Sequence, residues 1–166
     1  MGLNHTYLIA LGSNQRSPRH GNPRAVLAAA TARIERKLGK VRAVSCVIET
    51  APVGPSLRRY ANGALVLETE LHPRKLLRKL LAIETRFGRR RMGQRWRARV
   101  LDLDIVLWSG GIFARAELQI PHPLFRIRDF VLRPAAEIAP RWRDPLTGLS
   151  LTHLQARLTR PRRLPR

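Results

Sequence analysis

The chain has 166 residues and a formal charge of +21, from 32 basic and 11 acidic residues. It is long enough for one ordinary domain with a hydrophobic core, and its charge predicts anionic partners. An apolar fraction of 44% excludes a wholly disordered basic tail, and the single cysteine excludes a disulfide framework. No apolar run is long enough to span a bilayer and the N-terminus lacks a signal-peptide pattern, so we expect a cytoplasmic protein.

The basic residues are concentrated in two segments. Residues 86–99 contain seven arginines and no acidic residue, and residues 157–166 contain five arginines and no acidic residue. Prolines interrupt the second segment, so we expect a flexible, solvated tail over residues 159–166. The remainder, residues 1–158, is expected to form a single domain.

Four elements are predicted in the first half of the chain. Residues 6–11 are an apolar run ended by a Gly-Ser-Asn turn, which indicates a buried strand. Asn22 followed by Pro23 is typical of a helix start, and apolar residues continue at helical spacing up to Gly39. β-Branched and apolar residues favour strands over 41–49 and 61–69, with a loop rich in Pro and Gly between them.

The second half predicts the rest of the fold. Pro73 starts a second helix that ends at Gly88, the arginine-rich segment follows as a loop, and a strand is predicted over residues 100–108. Short helices are predicted over 130–138 and 151–158. The order strand–helix–strand–strand–helix–strand is typical of a ferredoxin-like α+β fold (βαββαβ), an antiparallel sheet with both helices on one face. The last two helices are C-terminal additions, and the other face of the sheet is expected to be free for a functional site.

The strand over residues 100–108 has the most regular pattern in the chain. Its odd-numbered positions from 101 to 107 are aliphatic, whereas Asp102 and Asp104 occupy even-numbered positions. A period of two puts the four aliphatic side chains, Leu107 included, on one face and both carboxylates on the other.

Two carboxylates at this spacing can hold one divalent cation or share two. Magnesium commonly binds one or two carboxylates together with water and phosphate oxygens. Taken alone, the pattern is a weak signal, and two ordinary surface acids are the favoured interpretation. The arginines just before it favour a metal-bound polyphosphate as the ligand, because one guanidinium group can form two parallel hydrogen bonds to a phosphate group. Trp96, within that segment, can stack on a base or anchor the loop, and both interpretations stay open.

Other polar positions are less specific. Asn62 offers a hydrogen-bond donor and an acceptor to a flat heterocycle, but it also fits a turn or a cap. His122 lies between two prolines, whose stiff backbone can present a side chain, although a lone histidine is more often structural. Arg128 and Phe130 follow closely, and core packing is the default interpretation of Phe130.

Together these segments resemble the 6-hydroxymethyl-7,8-dihydropterin pyrophosphokinase family. The match covers nearly the whole chain, and the combination of RW, RVLDLDI and a downstream PHP is highly specific. The matching motifs are YLIALGSN over residues 7–14, TAPVG over 50–54, YANGALVLET over 60–69, IE at 83–84, GR at 88–89, RW at 95–96, RVLDLDI over 99–105, IPHP over 120–123, Arg128, FVL over 130–132 and EIAP over 137–140.

The resemblance implies an ATP-dependent transferase. Its members move the β,γ-pyrophosphoryl group of ATP to the hydroxymethyl oxygen of the pterin and release AMP, on a ferredoxin-like fold. It implies that Asp102 and Asp104 bind two Mg²⁺ ions and that Arg89 and Arg99 take part in catalysis. The residues implied for pterin binding are Thr50, Pro52, Val53, Tyr60, Asn62 and Phe130, with Tyr60 and Phe130 as an aromatic clamp. Those implied for ATP binding are Glu84, Arg91, Trp96, His122 and Arg128.

The chain departs from the family pattern at three places. Members often have Gly-Pro where Arg97-Ala98 stand here, an arginine where Leu124 stands, and a glutamate where Ile127 stands. The last two departures put in doubt a phosphate contact or ion pair from that segment. All three departures keep open a paralogue that binds pterin or nucleotide without transfer.

A ferredoxin-like RNA-binding module is the other alternative, because it has the same element order and suits the positive charge. Such a module stacks bases on exposed aromatic residues of its central strands. Residues 61–69 contain none, and Tyr7 is the one candidate on the first strand. We therefore expect no nucleic-acid partner. We also expect a monomer that acts on ATP and a pterin and binds no membrane.

Overall fold

The computed structural model describes residues 4–51, 58–88 and 99–161. The predictions for loop residues 52–57, for the arginine-rich segment 89–98 and for tail residues 162–166 lie outside these residues. The elements are β1 (His5–Ser13), α1 (Pro23–Leu38), β2 (Lys40–Val44), β3 (Ile48–Thr50), β4 (Tyr60–Thr69), α2 (Pro73–Arg86), β5 (Asp102–Trp108), β6 (Phe113–Arg115), β7 (Leu118–Ile120), a 3₁₀ turn (Phe125–Ile127), α3 (Asp129–Ile138) and α4 (Leu151–Thr159).

The sheet confirms the ferredoxin-like prediction. Its strand order is β2–β4–β1–β5 with all neighbours antiparallel, and β3 pairs with the start of β4. The two central strands, β1 and β4, are therefore the first and third of the βαββαβ pattern. A separate hairpin of β6 and β7 follows β5, which the sequence pattern does not reveal because each strand has only three residues.

Both long helices begin at the predicted residues. The side chain of Asn22 accepts a hydrogen bond from the backbone N–H of Ala25 at 3.0 Å, and Pro23 is the first residue of α1. This is the expected N-cap arrangement, in which a side chain satisfies one of the free amides of the first turn. Gly39 ends α1 where the chain passes close to β4, since a Cβ there would overlap the carbonyl oxygen of Glu68.

The segment 41–49 is two strands rather than the predicted one. β2 and β3 are separated at Ser45, whose hydroxyl accepts a hydrogen bond from the N–H of Ala64 at 2.9 Å. The backbone N–H of Ser45 donates to the carbonyl of the same Ala64 at 2.9 Å. A side chain thus takes the place of a ladder acceptor, and the strand is interrupted there.

Each face of the sheet carries a hydrophobic cluster. On one face α1 and α2 pack against residues such as Ile9, Leu65 and Leu103. On the other face α3 and α4 pack against residues that include Leu8 and Leu107. The expectation that this second face is free is therefore wrong at the end of β1 and β5 that holds Leu8 and Leu107, where α3 and α4 cover it.

A β-bulge explains why Leu107 lies on the second face. Ile9 of β1 pairs with Ile105, but Leu8 pairs with Leu107, so Val106 is an extra residue in β5. The extra residue reverses the alternation beyond Ile105. The prediction that Leu107 shares a face with Leu103 is wrong for this reason, while Leu103 and Ile105 lie on the helix-covered face as predicted.

Candidate active site

Three neighbouring strands bring the candidate side chains into one row. Asn62 of β4 pairs with Gly12 of β1, and Gly12 pairs on its other side with Asp102 of β5. One step along, Ala10 pairs with Asp104. Directly paired residues in antiparallel strands point to the same face, so Asn62 and both aspartates share the face opposite α1 and α2. With strands about 4.8 Å apart, Asn62 and Asp102 are roughly 10 Å apart at the backbone, and Gly12 lies between them.

The two carboxylates are accessible and fit a magnesium site. The side chains of Asp102 and Asp104 are 27% and 41% exposed, so water and a ligand can reach them. Oxygen ligands from one or two carboxylates are what Mg²⁺ prefers, with water and phosphate oxygens completing the octahedron. No cluster of three or more His, Cys, Asp or Glu side chains suited to a metal ion occurs within the described ranges.

Arg99 is fixed at the edge of this pair by a residue that the sequence indicated only as part of a turn. The backbone N–H of Arg99 donates to the side-chain oxygen of Asn14 at 2.8 Å, and the N–H of Asn14 donates to the carbonyl of Arg99 at 3.2 Å. Asn14 is only 2% exposed. The guanidinium group of Arg99 then donates to Asp102 at 2.8 Å, which places a cation beside the first carboxylate.

Glu84 holds the backbone between the two aspartates. Its carboxylate, at the C-terminal end of α2, accepts a hydrogen bond from the N–H of Leu103 at 2.7 Å, and the residue is 1% exposed. β5 is an edge strand, and this N–H finds its acceptor in a side chain of the helix layer. An ATP contact for Glu84 stays a prediction, and the structure gives its carboxylate a structural partner.

His122 faces the second aspartate. Its Nε2 lies 3.9 Å from Asp104, and its Nδ1 accepts a hydrogen bond from the N–H of Leu124 at 3.2 Å. When the ring is neutral, the proton therefore sits on Nε2 and points towards the site. Burial lowers the pKa of His122 and the positive charge of Arg128 lowers it further, while Asp102 acts in the opposite direction. His122 is thus a neutral hydrogen-bond donor near neutral pH.

A cavity of about 250 Å³ opens next to these residues, between α2 and the β6–β7 hairpin. An ion pair of 2.7 Å joins Arg74 of α2 to Glu117 in the hairpin turn. The cavity was not anticipated from the sequence, because its walls come from segments far apart in the chain. Its lining includes Leu77, Leu103, Asp104, Ile105, Leu118, Gln119 and His122. An apolar pocket beside a carboxylate and an imidazole can hold a flat base whose phosphates reach the aspartates.

The implied pterin residues are partly brought together. The side-chain amide of Asn62 donates to the hydroxyl of Thr50 at 2.8 Å, which fixes the amide at the start of β4. Tyr60 lies two residues earlier, on the same face. Phe130 packs against the second cluster, and the guanidinium of Arg128 lies 5.7 Å from the centre of its ring. The proposed clamp of Tyr60 and Phe130 stays a prediction.

Five of the implied site residues lie outside the described parts of the chain. They are Pro52 and Val53 of the first loop and Arg89, Arg91 and Trp96 of the arginine-rich segment. Their roles stay predictions.

The fold and this face define a ferredoxin-like domain whose paired carboxylates and flanking arginine suit a metal-bound phosphate. Residues 8–140 match the family model of the 7,8-dihydro-6-hydroxymethylpterin-pyrophosphokinases. The chain belongs to this family, one of ATP-dependent diphosphotransferases.

Similar proteins agree with this assignment. The chain is 41% identical over 140 residues to a 2-amino-4-hydroxy-6-hydroxymethyldihydropteridine pyrophosphokinase of Pseudomonas aeruginosa, a match that covers 82% of each protein. It is 46% identical over 101 residues to the protein of that name from Synechocystis, but this match covers only 51% of that relative. Among solved structures, a Plasmodium falciparum HPPK-DHPS chain superimposes with a TM-score of 0.74 at 14% identity, over 94% of this chain and 43% of that one. This last likeness supports the fold.

Proposed function

We propose that this chain transfers the pyrophosphoryl group of ATP to the hydroxymethyl oxygen of 6-hydroxymethyl-7,8-dihydropterin and releases AMP. The observation that carries the proposal is the row of Asn62, Gly12 and Asp102. An amide suited to a flat polar heterocycle and a carboxylate pair suited to a metal-bound phosphate share one face. The glycine between them leaves room for two substrates to meet.

The reaction is an in-line displacement at phosphorus. The hydroxymethyl oxygen attacks the β-phosphorus of ATP, the bond from that phosphorus to the AMP oxygen breaks, and the hydroxyl proton leaves to a carboxylate or to water. Catalysis then depends on positioning and on charge stabilisation. Magnesium, when bound, neutralises charge on the phosphate oxygens.

Several of the site residues that the structure describes have a role in this proposal. Asp102 and Asp104 would hold the magnesium, two ions by resemblance to the family. Arg99 lies within 2.8 Å of Asp102 and can bind a phosphate oxygen as charge develops. His122 donates from Nε2 on the nucleotide side, and the base occupies the cavity beside Leu77. Asn62, held by Thr50, binds the pterin edge.

The burial of Tyr7 argues against an RNA-binding module. Tyr7, the candidate for base stacking in an RNA-binding module, is 0% exposed and its hydroxyl donates to the carbonyl of Leu71 at 2.6 Å, so it offers no stacking surface. A paralogue that binds the substrates without transfer can be distinguished from the enzyme only by measuring the rate of AMP formation. The chain is proposed to act as a monomer in the cytoplasm; no helix in its described part is long and apolar enough to cross a membrane.

One assay tests the proposal. The protein is mixed with ATP, Mg²⁺ and 6-hydroxymethyl-7,8-dihydropterin, and nucleotide products are separated. We expect one AMP for each pterin diphosphate, with EDTA and omission of pterin as controls. Formation of ADP, or binding of both substrates without AMP, would overturn the proposal, and the second outcome would favour the inactive paralogue. Salt-dependent binding of RNA without AMP formation would favour the nucleic-acid module.

A further inference from the structure

A buried carboxylate outside the site described above has a complete set of hydrogen bonds. Asp144, between α3 and α4, is 0% exposed. It accepts two bonds from the guanidinium of Arg126, both at 2.7 Å, one from the hydroxyl of Thr147 at 2.6 Å and one from the N–H of Leu146 at 3.1 Å. Burial alone would raise the pKa of Asp144, but these partners outweigh it and hold the pKa below its ordinary value. The pair is therefore charged and held in one geometry.

The arginine of this pair belongs to the 3₁₀ turn that follows His122. The N–H of Leu124 donates to Nδ1 of His122 at 3.2 Å, and the N–H of Phe125 donates to its carbonyl at 3.2 Å. On the other side of the turn, Arg128 leads into α3. The turn therefore sets the direction of the His122 ring.

The aspartate end of the pair is anchored to the core. The N–H of Asp144 donates to the carbonyl of Leu149 at 2.9 Å, and Ser150 caps α4 by accepting from the N–H of His153 at 3.3 Å. Leu151 of α4 is buried in the same cluster as Phe125. Asp144 is thus fixed to the second hydrophobic cluster through α4.

Phe125 anchors the turn in the second cluster, and the other side chains of the turn are exposed or half-buried. Leu124 and Ile127 are 42% and 69% exposed, and of the four side chains from 124 to 127 only Phe125 is buried. Neither of these two side chains carries a charge. Arg126 is the charged side chain of the turn, and its ion pair is buried at the aspartate end.

We propose that Arg126 and Asp144 are positioning residues for the nucleotide side of the site. Their ion pair holds the 3₁₀ turn, the turn holds Nδ1 of His122 as an acceptor, and Nε2 is thereby directed towards Asp104. The kinetic part of this inference rests on the proposed function, whereas the structural part does not.

The main test removes both charges together. In the double variant Arg126→Met/Asp144→Asn, an apolar side chain of similar length replaces the arginine and a neutral amide replaces the carboxylate. The amide oxygen can still accept from the Leu146 N–H or the Thr147 hydroxyl, and no unpaired charge stays buried. The matched control is Arg42→Met/Glu68→Leu, which removes a 2.7 Å ion pair between β2 and β4. Arg126→Lys is the conservative variant, since it keeps the charge but loses the paired geometry.

Two readouts separate positioning from stability. In ligand-free protein, amide hydrogen exchange at Leu124 and Phe125 should be at least about tenfold faster in the double variant and unchanged in the control. In the AMP assay, the KM for ATP should rise about tenfold, as is typical when the partner of a functional side chain is lost. The KM for the pterin should stay within about twofold, and Arg126→Lys should give an intermediate KM for ATP.

Each outcome decides the inference. Wild-type exchange rates at Leu124 and Phe125 in the double variant would overturn it, whatever the activity. Faster exchange with a wild-type KM for ATP would reduce the pair to a purely structural role and overturn the functional claim. If the wild-type chain makes no AMP, the proposed function fails, and the exchange rates still decide whether the pair holds the turn.

Discussion

The hydrogen bond from Leu103 to Glu84 predicts a linked loss of stability and of magnesium affinity. In Glu84→Ala, the buried N–H of Leu103 loses its 2.7 Å acceptor, which costs about 1–3 kcal/mol, and a cavity adds to this cost. We therefore expect the free energy of unfolding to fall by about 2–3 kcal/mol. For a chain of this length, this corresponds to a decrease in Tm of roughly 5–10 °C.

The same substitution should affect function because the Leu103 peptide joins the two aspartates. If that peptide moves, the carboxylates no longer converge in the same geometry, and the Mg²⁺ concentration for half-maximal AMP formation should rise about tenfold. Glu84→Gln keeps an acceptor but loses the charge, so its stability loss should be about half that of the alanine variant.

The assay combines thermal unfolding with magnesium titrations of AMP formation. Thr69→Val is the matched control. It removes a buried hydrogen bond of 2.5 Å from Thr69 to the carbonyl of Leu38, at the opposite end of β4 from Asn62. The control should lower Tm and leave the magnesium dependence unchanged. If Glu84→Ala lowers Tm but keeps the wild-type magnesium dependence, the claim that Glu84 positions the aspartates is wrong.

Three further predictions concern the face of the site. Asp104→Ala should lower the single-turnover transfer rate at saturating Mg²⁺ by at least about a hundredfold, and an unchanged rate would exclude a role in holding the metal or the proton. Burial and then Arg128 lower the pKa of His122, so an NMR titration should place this pKa below 6.5. As pH falls from about 6.5 towards the folded-state pKa, protonation of His122 should lower the free energy of unfolding. A pKa at or above 6.5 would contradict the geometry. Gly12→Ala adds a methyl group between the two proposed substrate sites, where its Cβ would lie 3.5 Å from the Asn62 side chain, and should raise the KM for pterin about tenfold. Gly63→Ala, on the opposite face and with the same 3.5 Å of space, is the control and should leave both KM values unchanged; equal effects in the two variants would refute the crowding argument.

The parts of the fold that could be predicted are those set by local patterns. The starts of α1 and α2 follow from Asn22-Pro23 and Pro73, because capping and the fixed φ of proline act within one helical turn. The common face of Asp102 and Asp104 follows from the period of a strand. The position of Leu107 could not be predicted, because a bulge depends on how two strands pair and leaves no signal in either one.

The parts of the site that were missed depend on contacts between distant residues. Asn14 binds Arg99 across 85 positions, and no periodicity links the two. Glu84 was indicated only by the family resemblance, which gave it a ligand rather than the N–H of Leu103. The cavity beside Leu77 is likewise formed by separate segments. Polar contacts of this kind are set by tertiary packing, so they become visible only once the fold is known.

The acidic residues of this chain are more informative than its large positive charge. With 32 basic and 11 acidic residues, almost any surface is basic, and the sum of charges cannot distinguish a polyphosphate from RNA. Acidic residues are few, so the position of each one is more informative. The two buried acids, Glu84 and Asp144, are each bonded to a segment that borders the site, β5 in one case and the turn after His122 in the other. Asp102 and Asp104 are left on the open face, beside Arg99 and His122. Because a buried carboxylate is costly unless it is fully bonded, its placement indicates a structural requirement. Here both requirements concern the side of the site that we propose for the nucleotide.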